Sequence, residues 1–241
     1  MKRLLDIVFS ILILIPVTPI LIIFSFFIWF YDKSNPIYVG KRIGKNGLEF
    51  NFFKLRSMIV NADATGVDST SSSDNRITPI GKIVRKFKLD ELPQFFHVLT
   101  GKMSLVGPRP NVWNDVKIYT KEEKELLSVK PGITDFSSII FSDEGDILSN
   151  FKNPDLKYNQ LIRPWKSRLG LFYIKKRSIL LDTLLISFTL VAIFRKSLAN
   201  NWVVLLLQYY NAEKILIEVC KRDKDLKPYP PPGSTEIVKE R

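Results

Sequence analysis

Asp90 and Glu91 stand side by side in "FKLDELPQFF", residues 87–96, behind a basic stretch and ahead of a proline and two phenylalanines. At a helix start, acidic side chains meet unpaired backbone N–H groups and the positive end of the helix dipole, so a capping role is the ordinary reading. The surrounding residues add a second. Arg85 lies just upstream, Arg109 is held between Pro108 and Pro110 downstream, and Lys54 and Arg56 come from "FFKLRSM". Cationic side chains clamp phosphate oxygens, and a carboxylate kept ionised acts as nucleophile or metal ligand at neutral pH. A second carboxylate helps to hold Mg²⁺, which prefers oxygen donors. If the fold brings these groups together, the chemistry they suit is that of phosphates.

Bulk composition agrees with an anionic substrate or partner. The chain carries 36 Lys and Arg against 24 Asp and Glu in 241 residues, a net charge of +12, which favours nucleic acid, lipid head groups or small phosphates without choosing among them. The single Cys220 excludes an intramolecular disulfide and a cysteine metal cluster, and the single His97 excludes a multi-histidine metal site. Each of these two has a plain reading: His97, beside Phe95 and Phe96, as a packing or surface residue, and Cys220 as an unreactive surface or helix residue. The length suits one domain with an appendage.

The elements that must position the acidic pair begin with an apolar run. Residues 7–31 are uncharged, lying between Asp6 and Asp32, and one straight helix of that length, about 37 Å, would cross a hydrocarbon layer. Pro16 and Pro19 interrupt it, each lacking a backbone donor and clashing with the preceding turn, so a kink or break is expected there. Lys2 and Arg3 precede the run and Lys33, Lys41 and Arg42 follow it. Positive charge on both sides gives a span no orientation but suits a hairpin that re-enters the face it left, and this is the preferred reading over a crossing or a cleaved signal peptide.

Beyond the run, "NPIYVGKRIGKNGLEFNFFKLRSM" predicts two strands around a "GKNG" turn. Residues 61–77 lack apolar periodicity and read as a mobile surface loop. Thr78 caps a basic amphipathic helix with Pro79 at its first position and Ile80, Ile83, Val84 and Phe87 at helical spacing. A second helix is expected from Asp90 to Thr100, followed by a short strand in "KMSLVGPRP". Residues 177–194 predict a buried or interfacial helix, and "WVVLLLQYY" at 202 a further apolar piece. The proline- and charge-rich tail is expected to be disordered or extended. The fold class that follows is α+β, mainly helical: a re-entrant helix-break-helix over residues 1–32, a catalytic domain over 33–195 with interfacial amphipathic helices and a small strand element, and a C-terminal extension over 196–241 with a disordered tail.

Taken in order, "KRLLDIVFS", the proline-broken run, "FFKLRSM", "GKIVRKFKLDELPQFFHVLTGKMSLVGPRP", "KPGIT" and "FYIKKRSILLD" resemble the bacterial sugar transferases, the small monotopic phosphoglycosyl transferases, over about residues 2–195. "LDELPQ" and "MSLVGPRP" at this spacing are the specific part. The resemblance implies transfer of a sugar 1-phosphate from a UDP-sugar to undecaprenyl phosphate, with UMP released, at the cytoplasmic face of the bacterial inner membrane, as the first membrane step of polysaccharide or glycoconjugate assembly. It implies Asp90 as nucleophile, Glu91 as the Mg²⁺-associated carboxylate, Lys54, Arg56, Arg85 and Arg109 as phosphate-binding cations, and Pro16, Thr18 and Pro19 as the break of the membrane hairpin. The implied cofactor is Mg²⁺. The implied partners are undecaprenyl phosphate, a UDP-sugar and membrane lipids, with no nucleic acid, and a homo-oligomer is compatible.

Two departures bear on the sugar. After the Pro-Gly-Ile-Thr turn many members carry Gly-Trp-Ala-Gln, where this chain has "DFSSIIFSDEGDIL" from Asp135, and Gly170 stands where an acidic or amide residue is common. Other readings of the whole are a conventional glycosyltransferase, which would release UDP, a membrane-tethered scaffold without turnover, and a nucleic-acid binder. Glu144 and Asp182 are open between substrate contact and structural pairing.

Overall fold

The computed structural model describes residues 1–149 and 151–240. Its elements in chain order are α1 (Lys2–Asp32), β1 (Ile37–Ile43), β2 (Glu49–Leu55), α2 (Pro79–Lys86), α3 (Gln94–Leu99), β3 (Ser104–Val106), α4 (Trp113–Val116), β4 (Gly132–Thr134), α5 (Phe136–Ile140), α6 (Glu144–Leu148), α7 (Pro154–Lys157), α8 (Arg163–Lys176), α9 (Ile179–Phe194), α10 (Lys196–Tyr209) and α11 (Lys214–Lys221). The architecture is mainly helical with two small sheets, an antiparallel β1–β2 hairpin and a parallel β3–β4 pair.

α1 is one unbroken helix through Pro16 and Pro19, where a break was expected from the sequence. Pro16 and Pro19 leave the carbonyls of Leu12 and Ile15 without their N–H partners; between them, Thr18 Oγ1 donates to Leu14 O at 2.7 Å. Such a back-bond to the preceding turn tolerates a bend without ending the helix. Polar groups fix both ends of α1 to the same globular body. At the start, Asp6 accepts from Ser104 Oγ at 2.9 Å and Leu105 N at 3.1 Å, Arg3 donates to the carbonyls of Val98 and Leu99, and Lys2 Nζ reaches Asp182 at 2.5 Å. At the far end Ile28 packs with Leu55 and Val84, and Arg56 holds Asp32 by two hydrogen bonds of 2.5 and 2.6 Å. Between them Ile11, Leu12, Ile15 and Ile22 are exposed, an apolar surface that water does not favour.

The hairpin pairs Ile37 with Leu55 through Ile43 with Glu49, and its turn places Asn46 and Gly47 at positive φ, as the "GKNG" signal predicts. Thr78 Oγ1 accepts from Gly81 N at 2.9 Å, capping α2 with Pro79 at its first turn. Where a side chain stood at Gly81, its Cβ would lie 1.9 Å from Ser57 O, so only glycine lets α2 sit on the end of β2. The β3–β4 contact has a similar cause: a Cβ on Gly132 would lie 2.1 Å from Gly107 N, and the two glycines let the "GPRP" and "PGIT" backbones touch.

The main core joins α5, α8, α9 and α10 through residues such as Phe136, Ile140, Leu169, Leu185 and Leu207. Within it, Arg163 donates to both carboxylate oxygens of Glu123, to Asn159 and to Ile118 O, while Ser167 also donates to Glu123. Residues 61–77, expected to be mobile, are clasped by Arg76, which bonds Asp74, Thr65 Oγ1 and the carbonyls of Ala62 and Val67. The tail is extended and docked rather than disordered. Tyr229 stacks on Trp165, Arg168 donates to Pro230 O at 2.9 Å, Thr120 to Pro232 O at 2.5 Å and Gln160 to Val238 O at 2.9 Å. Cys220 lies on α11 and is fully buried, not on the surface; burial pushes its thiol up to about 12.

Candidate active site

The acidic pair sits on a single 3-10 turn, Leu89–Glu91, and not on the α-helix expected from Asp90 to Thr100. Pro93 is the reason. It has no N–H to give Leu89, so the chain closes the tighter Leu92 N to Leu89 O bond at 3.2 Å and the α-helix begins only at Gln94. Lys88, immediately before the pair, adopts a left-handed φ of 56°. A long side chain in that region carries strain that the surrounding packing must hold.

Asp90 is buried, and Lys54 Nζ, delivered by β2, donates to its Oδ2 at 3.2 Å. Glu91 is met by Arg109, whose two terminal nitrogens donate to the two carboxylate oxygens at 2.9 and 2.8 Å. Burial by itself would raise the Glu91 pKa, but the Arg109 charge and its two hydrogen bonds overcome that, and the carboxyl is held down at about 2. Arg109 is affected in the opposite sense: burial lowers its pKa, Glu91, Asp135 and Glu144 raise it, and the net direction is up. Arg85 Nε donates to Ser57 Oγ at 2.8 Å. Burial lowers the Arg85 pKa while Asp90 and Asp74 oppose; a guanidinium stays charged regardless.

Lys54, Arg85, Asp90, Glu91 and Arg109 all line one cleft of about 1660 Å³. The chain thus converges groups from β2, α2, the 3-10 turn and the loop after β3, which sequence separation alone left open. Arg56 faces the same cleft and donates to both oxygens of Asp32 and, through Nε, to Asn35 O at 2.7 Å. Its geometry makes it a clamp on the end of α1 at the edge of the cleft. Pro16, Thr18 and Pro19 lie mid-way along α1, away from the acidic turn in sequence and in contacts.

His97 is buried against Phe50, Phe52 and Phe53, and its Nε2 accepts from Phe53 N at 3.0 Å. Burial, with Lys102 nearby, lowers its pKa to about 4. It is a neutral packing residue that ties α3 to β2. Asp182 pairs with Lys2 and accepts from Tyr173 at 2.6 Å, a structural network away from the acidic pair. Gly170 permits α8 to approach the Arg109 turn, since a Cβ there would lie 2.7 Å from Leu126 Cδ2 and 3.4 Å from Pro108 Cβ. Ser57, which orients Arg85, carried no signal in the sequence beyond its place after Arg56.

No group of three or more His, Cys, Asp or Glu suited to a metal occurs among the described residues. The donors at the acidic turn are carboxylates only, and each Glu91 oxygen accepts one Arg109 bond, leaving lone-pair capacity. Such a set fits Mg²⁺, which is commonly held by one or two carboxylates together with substrate phosphates.

Residues 1–196 match the family described as bacterial sugar transferase. The chain belongs to that family. Among bacterial sugar transferases and their relatives it is 38% identical over 152 residues to the undecaprenyl-phosphate galactose phosphotransferase of Salmonella typhimurium, covering 56% of this chain and 31% of the relative. It is 38% identical over 175 residues to the UDP-glucose:undecaprenyl-phosphate glucose-1-phosphate transferase of Klebsiella pneumoniae, covering 70% of this chain and 37% of the relative. To the exopolysaccharide production protein ExoY of Sinorhizobium fredii it is 33% identical over 148 residues, 55% of this chain and 66% of the relative. The chain thus spans 31% and 37% of the length of the first two. The matched family region ends where α10 begins.

Proposed function

We propose that the chain is a membrane-bound phosphoglycosyl transferase that moves a sugar 1-phosphate from a UDP-sugar to undecaprenyl phosphate. The observation that carries this reading is the cleft in which a buried Asp90, flanked by Lys54, stands next to the Arg109–Glu91 pair and within the field of Arg85. In the first step a carboxylate oxygen of Asp90 attacks the sugar-bearing phosphorus of the donor. A phosphorus–oxygen bond forms, the bond to UMP breaks, and UMP leaves with the electron pair. In the second, a phosphate oxygen of the lipid carrier attacks the same phosphorus, expelling the Asp90 carboxylate and giving a lipid diphosphosugar.

Lys54 and Arg85 hold the Asp90 environment cationic, which attracts the diphosphate. Arg109 keeps Glu91 ionised and aimed. Mg²⁺, held by Glu91 together with the donor's diphosphate, would supply neutralisation of charge on the leaving group.

The lipid substrate explains the anchor. Both ends of α1 dock on one body and the exposed apolar stretch lies between them, an arrangement that supports re-entry at one membrane face over crossing. Exposed Ile83, Phe87 and Phe96, with Lys82 and Lys86 beside them, suit a head-group layer, and the positive flanks favour the cytoplasmic face of the inner membrane. A site held at that depth spares the polyprenyl chain transfer into water, which would cost about 0.8 kcal/mol per methylene.

The test incubates the membrane-embedded protein with undecaprenyl phosphate, Mg²⁺ and a panel of UDP-sugars while nucleotide release is measured. UMP is expected, and UDP in its place would make the chain a conventional glycosyltransferase. Asp90→Asn is expected to abolish turnover and the covalent phosphosugar adduct seen by mass spectrometry of the intact protein. An active Asn variant refutes the nucleophile.

A further inference from the structure

The cleft that holds Asp90 continues past Arg109 to a wall formed by the end of α5 and the start of α6, with Ser142, Glu144 and Lys166 in its lining. We propose that Glu144, held by Lys166, recognises the hexose of the nucleotide-sugar donor through hydrogen bonds from its ring hydroxyls, and so sets which sugar is transferred; this rests on the sugar 1-phosphate reading above. The ammonium of Lys166, from α8, bonds Glu144 Oε2, and Oε1 has no protein donor among the described residues. A carboxylate with one oxygen fixed and the other open is a strong acceptor for vicinal hydroxyls, and the ammonium beside it is a donor to the same ring.

The wall is built to stay in place. Asp143, next in the chain, is gripped by Lys196 Nζ at 2.8 Å and by Arg222 at 3.2 Å, and Arg222 also lies over the Phe141 ring. Lys166 itself sits over the ring of Tyr158 at 5.3 Å. From the opposite side the 61–77 loop closes on this wall, Ser72 N donating to Gly145 O at 2.9 Å. Residues of this loop and of the wall line the cleft together.

Glu144 lines the same cleft as Asp90 and Arg109. Its charge is felt by Arg109, which holds Glu91. The sugar is joined through one oxygen to the phosphorus that Asp90 attacks, whereas the nucleoside is one phosphate farther away. Arg222, which braces this wall, belongs to the stretch beyond the matched family region, and Lys196 stands at its last residue.

The experiment compares wild type with Glu144→Gln and Lys166→Met, using UDP-glucose, UDP-galactose, UDP-N-acetylglucosamine and UDP alone, with UMP release and nucleotide binding as readouts. For Glu144→Gln, KM for the preferred UDP-sugar is expected to rise about tenfold or more, kcat to move less than about threefold, and the preference among the three sugars to narrow. UDP, which has no sugar, is expected to bind within about twofold of wild type, which also reports a folded site. Unchanged sugar preference in both variants overturns the inference, as does a loss of UDP affinity equal to that for UDP-sugars, which would place the pair on the nucleoside. Should wild type release no UMP from any donor, the underlying reaction fails; the gap in affinity between UDP-sugar and UDP, and its loss in Glu144→Gln, then still decides the sugar contact.

Discussion

Two arginine–glutamate pairs in this molecule are both bidentate, Arg163 through Nε and one terminal nitrogen and Arg109 through both terminal nitrogens, and they serve opposite ends. Arg163 and Glu123 are 1% and 0% exposed and sealed by neighbours: Ser167 also donates to the carboxylate, and Asn159 and Ile118 O accept from the guanidinium. Arg109 and Glu91 are 25% and 19% exposed and open onto the cleft. The first pair is closed, so it ties α8 to the 3-10 turn Glu123–Ser128 and does nothing else. The second keeps lone pairs and hydrogens within reach of a ligand. Chemistry is thus available where a strong pair is left incomplete, and stability where the same pair is finished.

Breaking the closed pair should give the largest effect on folding. Glu123→Ala strands a buried guanidinium and is expected to destabilise the protein by about 3–5 kcal/mol, read by thermal or denaturant unfolding in detergent. Arg109→Met should reverse the pattern, lowering kcat/KM for UMP release by about 10²–10³ with a loss of stability well below that of Glu123→Ala. If both variants unfold alike, the distinction between closed and open pairs is lost.

A pH series sharpens the comparison. The Glu91 pKa is depressed in the fold to about 2 from 4.5, so its contribution is present above pH 4.5 and is lost as pH falls through that window. The His97 pKa is also depressed, to about 4 from 6.5. For a histidine buried neutral, the unfolded chain takes up the proton first, so stability falls as pH drops from 6.5 to 4. Unfolding free energy measured across pH 7 to 4 is expected to decline, and His97→Gln to remove the part of that slope between 6.5 and 4. The smallest effect belongs to Lys41–Glu49, a pair 65% and 49% exposed on the hairpin. Glu49→Ala there should change stability by less than about 1 kcal/mol and leave UMP release unchanged.

Local signals were legible in the sequence. The hairpin with its turn, the Thr78 cap with Pro79, and the kinship of residues around Asp90 follow from spacing and residue type, because a backbone of a few residues decides them. What stayed hidden depends on partners far along the chain. Arg56 reads in the sequence as one more cation, and its pairing with Asp32 appears only once α1 is docked. The tail reads as disordered because proline and charge lack a core pattern, yet Trp165, Arg168 and Gln160 offer it a surface that no local window contains. Pro93 was visible, but its shortening of the acidic helix to one 3-10 turn needed the backbone bonds to be counted.

The docking of α1 has a consequence for biogenesis. Lys2 bonds Asp182, 180 positions later, and Asp6 bonds Leu105, 99 positions later. α1 is therefore synthesised well before the residues that hold its first turns, and its closure onto the body waits for them. Contacts of such high sequence separation make the seating of α1 a late event, and its exposed apolar stretch has no protein cover in the interval.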